Sequence, residues 1–263
     1  MMPVSFALAP LAVTVLRMLA EQSTDPDERA GLLLSLVSHL ARLGNRPESL
    51  AAAKEAVKIR RDLARDDPDT FLPALAMSLN NQGWCLNKIG RPGKALAAAA
   101  EAIKIRLDLI EEHPEIRPGL AAALNNKAVS LTALHRPEEA LTAAEEARSI
   151  YRGLAQDRPD VYLHAYATAL NDLSTCLVTH ADPDRRERAL TASEEATRIL
   201  RLLATIRGGE YLSYLAVSLQ QPILVPNRPG TTERSTGSDG GKRTHPPPCW
   251  RAVSRLPDLL GVN

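Results

Sequence analysis

Apolar residues recur along most of the chain at the three-and-four spacing of amphipathic helices, and the helical segments come in pairs. Residues 78–106 read SLNNQGWCLNKIGRPGKALAAAAEAIKIR, which predicts a helix (helix A), a tight turn and a second helix (helix B). Residues 123–151, ALNNKAVSLTALHRPEEALTAAEEARSIY, repeat this pattern 45 residues later. A fixed period of this length with two helices per unit predicts an all-α solenoid of antiparallel helix pairs.

The repeat divides the chain into full units flanked by half-units. The predicted full units span 29–65, 72–112, 117–156 and 162–206, with half-repeats at 4–21 and 210–221. Because the first half-repeat reads as a helix B without its helix A, we expect its apolar surface to self-associate. Residues 222–263 hold seven prolines and five glycines, a composition that predicts a disordered, Pro/Gly/Arg-rich tail.

Turn and crossing residues recur with the same period. Gly44 and Gly90 stand where a left-handed residue ends helix A, and Pro92 stands in the first turn of helix B. Prolines also follow each helix B and are predicted to end it; they are Pro68, Pro114 and Pro159. Small residues spaced by 7, 5 and 7 are predicted to mark where helix axes cross, as at Gly83, Gly90, Ala95 and Ala102.

This spacing of small residues on paired helices resembles the tetratricopeptide repeat family over about residues 4–221. The long helix B and the LNN within helix A are most similar to the extended repeats of kinesin light chain and of many bacterial tetratricopeptide proteins. Val37 and His135 depart from the pattern, since each replaces a small residue. The resemblance implies a right-handed superhelical solenoid whose helices A line a concave groove and whose helix-A asparagines hold a peptide backbone.

Candidate site residues follow from the face that helix A would present to this groove. Met77, Asn80, Trp84 and Asn87 share one face by their spacing of three, seven and ten residues. Across the repeats this face carries a first amide column, Asn80, Asn125, Asn171 and Gln220, and a second column, Asn81, Asn126, Asp172 and Gln221. The predicted binding set is Asn80, Asn81, Trp84, Asn87, Lys88, Asn125, Asn126, Asn171, Asp172 and Thr175.

A primary amide can both donate to and accept from an extended peptide, which favours a binding role for these columns. The alternative is that the amides bond across neighbouring helices, or to water, and set the repeat spacing. Trp84 is either a binding anchor or core packing between units, and Lys88 is either a contact for an acidic peptide or a solvated charge.

Other chemistry finds little support in the sequence. The six histidines show no metal-ligand spacing and pair with no cysteine or serine in a catalytic pattern, so we expect neither an enzyme nor a bound cofactor or metal. The apolar run from 4 to 16 is too short to cross a bilayer, and a formal charge of +1 favours neither a membrane nor a nucleic acid as partner. Three cysteines without paired spacing are typical of a reducing cytoplasm.

The predicted function is that of a cytoplasmic scaffold that binds a peptide or partner protein in its groove. One alternative is a non-catalytic sensor fragment of a larger signalling protein whose chemistry lies in another domain. A second alternative rests on the tail, which carries six Lys/Arg against three Asp/Glu and could bind nucleic acid.

Overall fold

The computed structural model describes residues 9–178 and 182–207, together with Tyr211, Tyr214, Leu215 and Ser218. The expected disorder of the tail, most of the last half-repeat, and the glutamines that end the two amide columns lie outside the described residues. The chain divides into two compact units, Met1–Leu154 and Ala155–Asn263, and each is described by itself.

The described ranges contain α-helices and one 3-10 helix, with no β-strand among them, which confirms the all-α prediction. The helices are α1 (Ala9–Gln22), α2 (Pro26–Arg42), α3 (Arg46–Asp66), α4 (Pro68–Lys88), α5 (Pro92–Leu109), the 3-10 turn (Pro114–Ile116), α6 (Arg117–Ala133), α7 (Pro137–Asp157), α8 (Pro159–Val178) and α9 (Pro183–Arg207). Each helix from α1 to α5 packs on the next, and α4 also packs on α6, so these helices A of successive repeats are neighbours. None of the described helices is long and apolar enough to cross a membrane.

The prolines that were predicted to end each helix B are the first residues of the helix or 3-10 turn that follows. The predicted helix ends are therefore wrong by several residues. α4 begins at Pro68, four residues before the predicted start, and the side chain of Asp67 accepts a hydrogen bond from the Thr70 amide. α5 ends at Leu109, three residues early, and Pro114 opens the 3-10 turn that follows it. A proline fits the first helical position because its missing N–H has no intrahelical acceptor there.

Small residues do mark the helix crossings, with one exception. Ala95 and Ala102 of α5 are fully buried, and a Cβ added to Gly83 of α4 would lie 3.4 Å from the carbonyl oxygen of Ala95. Gly90 was predicted to share this role, but a Cβ there would meet nothing within 4 Å. Its role is conformational, because it ends α4 at the turn.

Each of the three A-to-B turns of the first unit has a residue in the left-handed conformation at the same position. Gly44 and Gly90 have φ of 75° and 73°, as predicted, and His135 adopts φ 56° at the equivalent position. In each turn the next residue donates its amide to a carbonyl five residues back, as Arg136 does to Leu131 at 2.9 Å. A left-handed conformation costs a residue with a Cβ energy that glycine does not pay.

Arg60 of α3 joins three helices in the core of the first unit. Its side chain is 5% exposed. Its Nε donates to Asp27 Oδ1 of α2 at 2.9 Å, and its Nη1 donates to Ala74 O and Ser78 Oγ of α4 at 3.3 and 3.2 Å. The buried charge is therefore paired and hydrogen-bonded, which is the condition for tolerating it.

Arg106 occupies the corresponding place on α5, 46 residues later, without these partners. It is 4% exposed, and its one hydrogen bond within the described part of the chain runs to Ala102 O of its own helix at 3.4 Å. Burial lowers the pKa of Arg106 to about 10, against an opposing effect of Tyr151. The guanidinium lies over Gly119, where an added Cβ would come within 2.5 Å of Nε.

We expect His135→Gly to stabilise the protein by about 1 kcal/mol, because glycine adopts φ 56° without the steric cost that a Cβ imposes. Chemical denaturation measures the change. Gly90→Ala is the matched control and should destabilise by a similar amount. Equal stability of His135→Gly and wild type would show that the histidine is unstrained.

We expect Arg60→Met to destabilise the protein by about 1–2 kcal/mol, because it removes the ion pair with the partly exposed Asp27 and leaves the buried Ser78 hydroxyl and Ala74 O without this donor. Arg106→Met should be neutral or stabilising, since it removes a buried charge that has one long hydrogen bond. The folded pKa of about 10 lies below the usual value for arginine, so the penalty for burying the charged Arg106 is complete below pH 10 and declines above it. Urea unfolding at several pH values measures both variants, and equal losses would contradict the distinction.

Candidate functional site

The outward faces of α4 and α6 expose large apolar side chains beside amides. Met77 is 45% exposed, Trp84 36% and Val129 38%, whereas most large apolar residues of the described helices are covered. Asn80 and Asn125 lie half-buried at intervening turns of the same helices. We call the surface formed by these five residues the A-face. Sequence periodicity placed them on one side of helix A, and the structure brings α4 and α6 side by side.

Asn126 of α6 links this helix to Asn80 of α4. Its Nδ2 donates to the main-chain oxygen of Asn80 at 3.1 Å and to the side-chain Oδ1 at 2.8 Å. Asn126 is 9% exposed, so the carboxamide is buried with its donor satisfied. The second amide column thus contacts the first column of the preceding repeat.

Asn87 makes a second link between the same helices. Its Nδ2 donates to Asn126 O at 3.2 Å, and its Oδ1 accepts a hydrogen bond from Ser130 Oγ at 2.9 Å. Ser130 is fully buried and lies within hydrogen-bonding distance of Asn126 O as well. Asn81 instead bonds within its own helix, to Met77 O at 2.9 Å. Amides of the predicted binding set therefore form hydrogen bonds between neighbouring helices, as expected if they set the repeat spacing.

The candidate residues of the second unit lie on α8. Asn171 is 8% exposed, and its Oδ1 accepts a hydrogen bond from Ser218 Oγ at 3.2 Å. Thr175 is exposed and donates to Asn171 O at 3.0 Å, and Asp172 is half-buried. Within this unit the first-column asparagine again has its side-chain oxygen engaged by a later segment.

A small cavity opens beside Trp84, between α2, α3 and α4. It has a volume of about 190 Å³ and is lined by Ala41, Arg46, Ser49, Trp84, Cys85 and Lys88. Lys88 Nζ lies 5.6 Å from the centroid of the indole ring, a cation–π arrangement, and Arg46 Nη1 donates to Lys88 O at 3.3 Å. Cations and an aromatic face thus line the cavity, and no carboxylate is among the lining residues.

The predicted binding set does not include Arg46, because that set was drawn from helix A and Arg46 begins helix B. A signal for it existed. Arg46, Arg91 and Arg136 recur at intervals of 45 residues, each directly before a proline of helix B.

Charges on α4 and α6 are strongly biased toward the cationic. Asp69, in the first turn of α4, is the sole acidic residue of the two helices, whereas Lys88, Arg117 and Lys127 are basic.

Burial raises the pKa of the Cys85 thiol, whose sulfur lies 3.4 Å from Ser49 Oγ, so the thiol stays protonated. Among the described residues no group of three or more potential ligands could hold a metal ion.

These helix pairs, with their small crossing residues and an exposed helix-A surface, define an all-α helical-repeat protein. Residues 120–159, which begin in α6 and end at the first residue of α8, match the tetratricopeptide repeat family model. The match supports a tetratricopeptide repeat in this part of the chain.

A solved structure shares this fold. BtubC (BKLC) from P. vanneervenii aligns with a TM-score of 0.51 at 19% sequence identity, covering 91% of this chain and 97% of that one. A putative kinesin light chain from Podosopora anserina with nearly identical TPR-like repeats has a TM-score of 0.46 and 14% identity, covering 81% of this chain and 87% of its own. No curated protein matches the sequence.

Proposed function

We propose that the A-face binds an extended segment of a partner protein and that the chain acts as a non-catalytic adaptor. Tetratricopeptide repeats generally mediate protein–protein interaction, and this supports the class of function. The reducing cytoplasm is the proposed compartment, which fits the free and buried thiol of Cys85.

The observation that carries the proposal is the exposure of Met77, Trp84 and Val129 on neighbouring helices. Exposed apolar side chains that cluster on one surface, rimmed by polar groups, are typical of interaction sites. Asn80 and Asn125 lie between them and supply hydrogen bonds that suit a peptide backbone whatever its side chains. Trp84, as a large rigid ring at a cavity, is the kind of residue that dominates binding energy.

Charge defines the partner further. Lys88 and Arg46 line the cavity beside Trp84, no carboxylate is among its lining residues, and Asp69 is the one acidic residue of α4 and α6. We therefore expect the bound segment to place an acidic side chain at this cavity, where it would meet the two exposed cations.

Peptides selected from a random phage-displayed library against the full chain test the proposal. We expect Trp84→Ala to weaken the selected peptides at least about tenfold, as for an interface anchor. Lys88→Gln should weaken acidic peptides by a few-fold and flatten their salt dependence. Fluorescence polarisation measures both effects.

Leu107→Ala is the matched control, because Leu107 is an exposed apolar residue, 50% accessible, on α5 and away from the A-face. Circular dichroism checks that each variant keeps its helical content. Undiminished binding to Trp84→Ala would place the peptide site elsewhere.

We also expect self-association through α1. Leu11, Val15, Met18 and Leu19 form one stripe along this helix and are 61%, 44%, 53% and 45% exposed. Size-exclusion chromatography with light scattering should show oligomers whose mass falls with dilution, and Val15→Gln with Met18→Gln should abolish them. A wild-type chain that stays monomeric at high concentration would refute this expectation.

A further inference from the structure

The hydrogen bonds of Asn126 fix which way its carboxamide points. One of its terminal atoms lies 3.1 Å from the main-chain oxygen of Asn80. A main-chain carbonyl oxygen only accepts hydrogen bonds, so the atom facing it must be the nitrogen, Nδ2. The usual ambiguity between oxygen and nitrogen in an amide side chain is therefore removed by the backbone.

The orientation of Asn126 then determines that of Asn80. The same Nδ2 lies 2.8 Å from the end of the Asn80 side chain, and only an oxygen can accept from it there. Asn80 consequently directs Oδ1 toward α6 and Nδ2 away from it. No side chain or carbonyl among the described residues accepts a hydrogen bond from this Nδ2. Asn80 therefore offers the A-face the two N–H donors of Nδ2. Its Oδ1 points toward α6 and accepts the hydrogen bond from Asn126.

Burial makes this orientation firm. Asn126 is 9% exposed, and its own main-chain oxygen accepts hydrogen bonds from Asn87 and Ser130. Rotating the Asn80 amide by half a turn would bring two NH2 groups together, and rotating that of Asn126 would bring its oxygen against the two oxygens of Asn80. The second unit shows a similar arrangement, since Asn171 Oδ1 accepts from Ser218.

We propose that Asn126 is a positioning residue that makes Asn80 a donor-only contact, so that the A-face selects an acceptor oxygen at this point of the bound segment. The acceptor is a peptide carbonyl or a carboxylate oxygen, and an N–H group in that place is rejected. This proposal rests on the proposed function, because it specifies the polarity of binding at the same face.

The orientation is testable in the free protein, without a ligand. In nitrogen-15 labelled full chain, the side-chain NH2 protons of Asn80 should exchange rapidly with water, whereas those of Asn126 should exchange much more slowly. Both pairs are assigned by triple-resonance spectra. Protected Asn80 protons together with rapidly exchanging Asn126 protons would show the reverse orientation and overturn the proposal.

Binding variants test the consequence, with a phage-selected peptide as the probe. Asn80→Asp keeps an oxygen for Asn126 but replaces the outward NH2 by a second oxygen, and should weaken the peptide at least about tenfold, as expected when a carbonyl meets an acceptor. Asn126→Ala should weaken it several-fold when Asn80 is present and have no effect when Asn80 is already Ala. Thr142→Ala, which removes an exposed intrahelical hydrogen bond on α7, is the control.

The outcomes separate the two proposals. If Trp84→Ala weakens the peptide while Asn80→Asp does not, the A-face binds but the donor-only contact is wrong. If Asn126→Ala acts equally with and without Asn80, Asn126 stabilises the fold without positioning Asn80. If none of these variants affects binding, the proposed function itself fails.

Discussion

The close approach of helices at alanine and glycine positions is the constraint on which the first unit depends. Ala53, Ala56, Ala95, Ala99 and Ala102 are fully buried, and aromatic residues make up only 3% of the sequence. Such a core gains its energy from many short contacts instead of a few large side chains. It also fixes the spacing between neighbouring helices A, because a larger side chain would separate the axes. That spacing places Asn126 Nδ2 at 2.8 Å from Asn80 Oδ1.

Equivalent positions in successive repeats are not energetically equivalent. Arg60 and Arg106 occupy matching places on helix B and are buried alike. Arg60 donates hydrogen bonds to Asp27 and Ser78 of neighbouring helices. Arg106 has Ala102 O of its own helix as its one acceptor among the described residues. The hydroxyl of Ser78 has no counterpart in the next repeat, where the sequence has Ala123. A repeat protein whose units differ in this way should open unevenly, with the region around Arg106 weaker than the region around Arg60.

Much of the fold was predictable because its signals are local. The helix pairs follow from hydrophobic periodicity, and the left-handed turns follow from Gly44 and Gly90. Signals that depend on packing were not predictable. Gly90 shares the small-residue spacing but contacts nothing, and Pro68 begins α4 where sequence suggested only the end of the previous helix. A residue's type limits what it can do, and its neighbours in space decide which of those roles it takes.

The candidate site shows the same division between periodicity and geometry. Spacing identified two amide columns but could not say that Asn126 of the second column meets Asn80 of the first, one repeat earlier. That contact depends on how far α4 and α6 are rotated about their own axes, which a period does not specify. Arg46 was overlooked for a related reason, since its place at the cavity depends on how α3 packs against α4.

The amides of helix A could by their spacing either bind a ligand or join neighbouring helices. A carboxamide has two chemically different ends, and the contacts between α4 and α6 use only the oxygen end of the Asn80 side chain. Joining the helices therefore leaves the nitrogen end of Asn80 available and holds it in one direction. Because a fixed donor loses less conformational freedom on binding than a rotating one, the structural contact favours recognition at this face instead of competing with it.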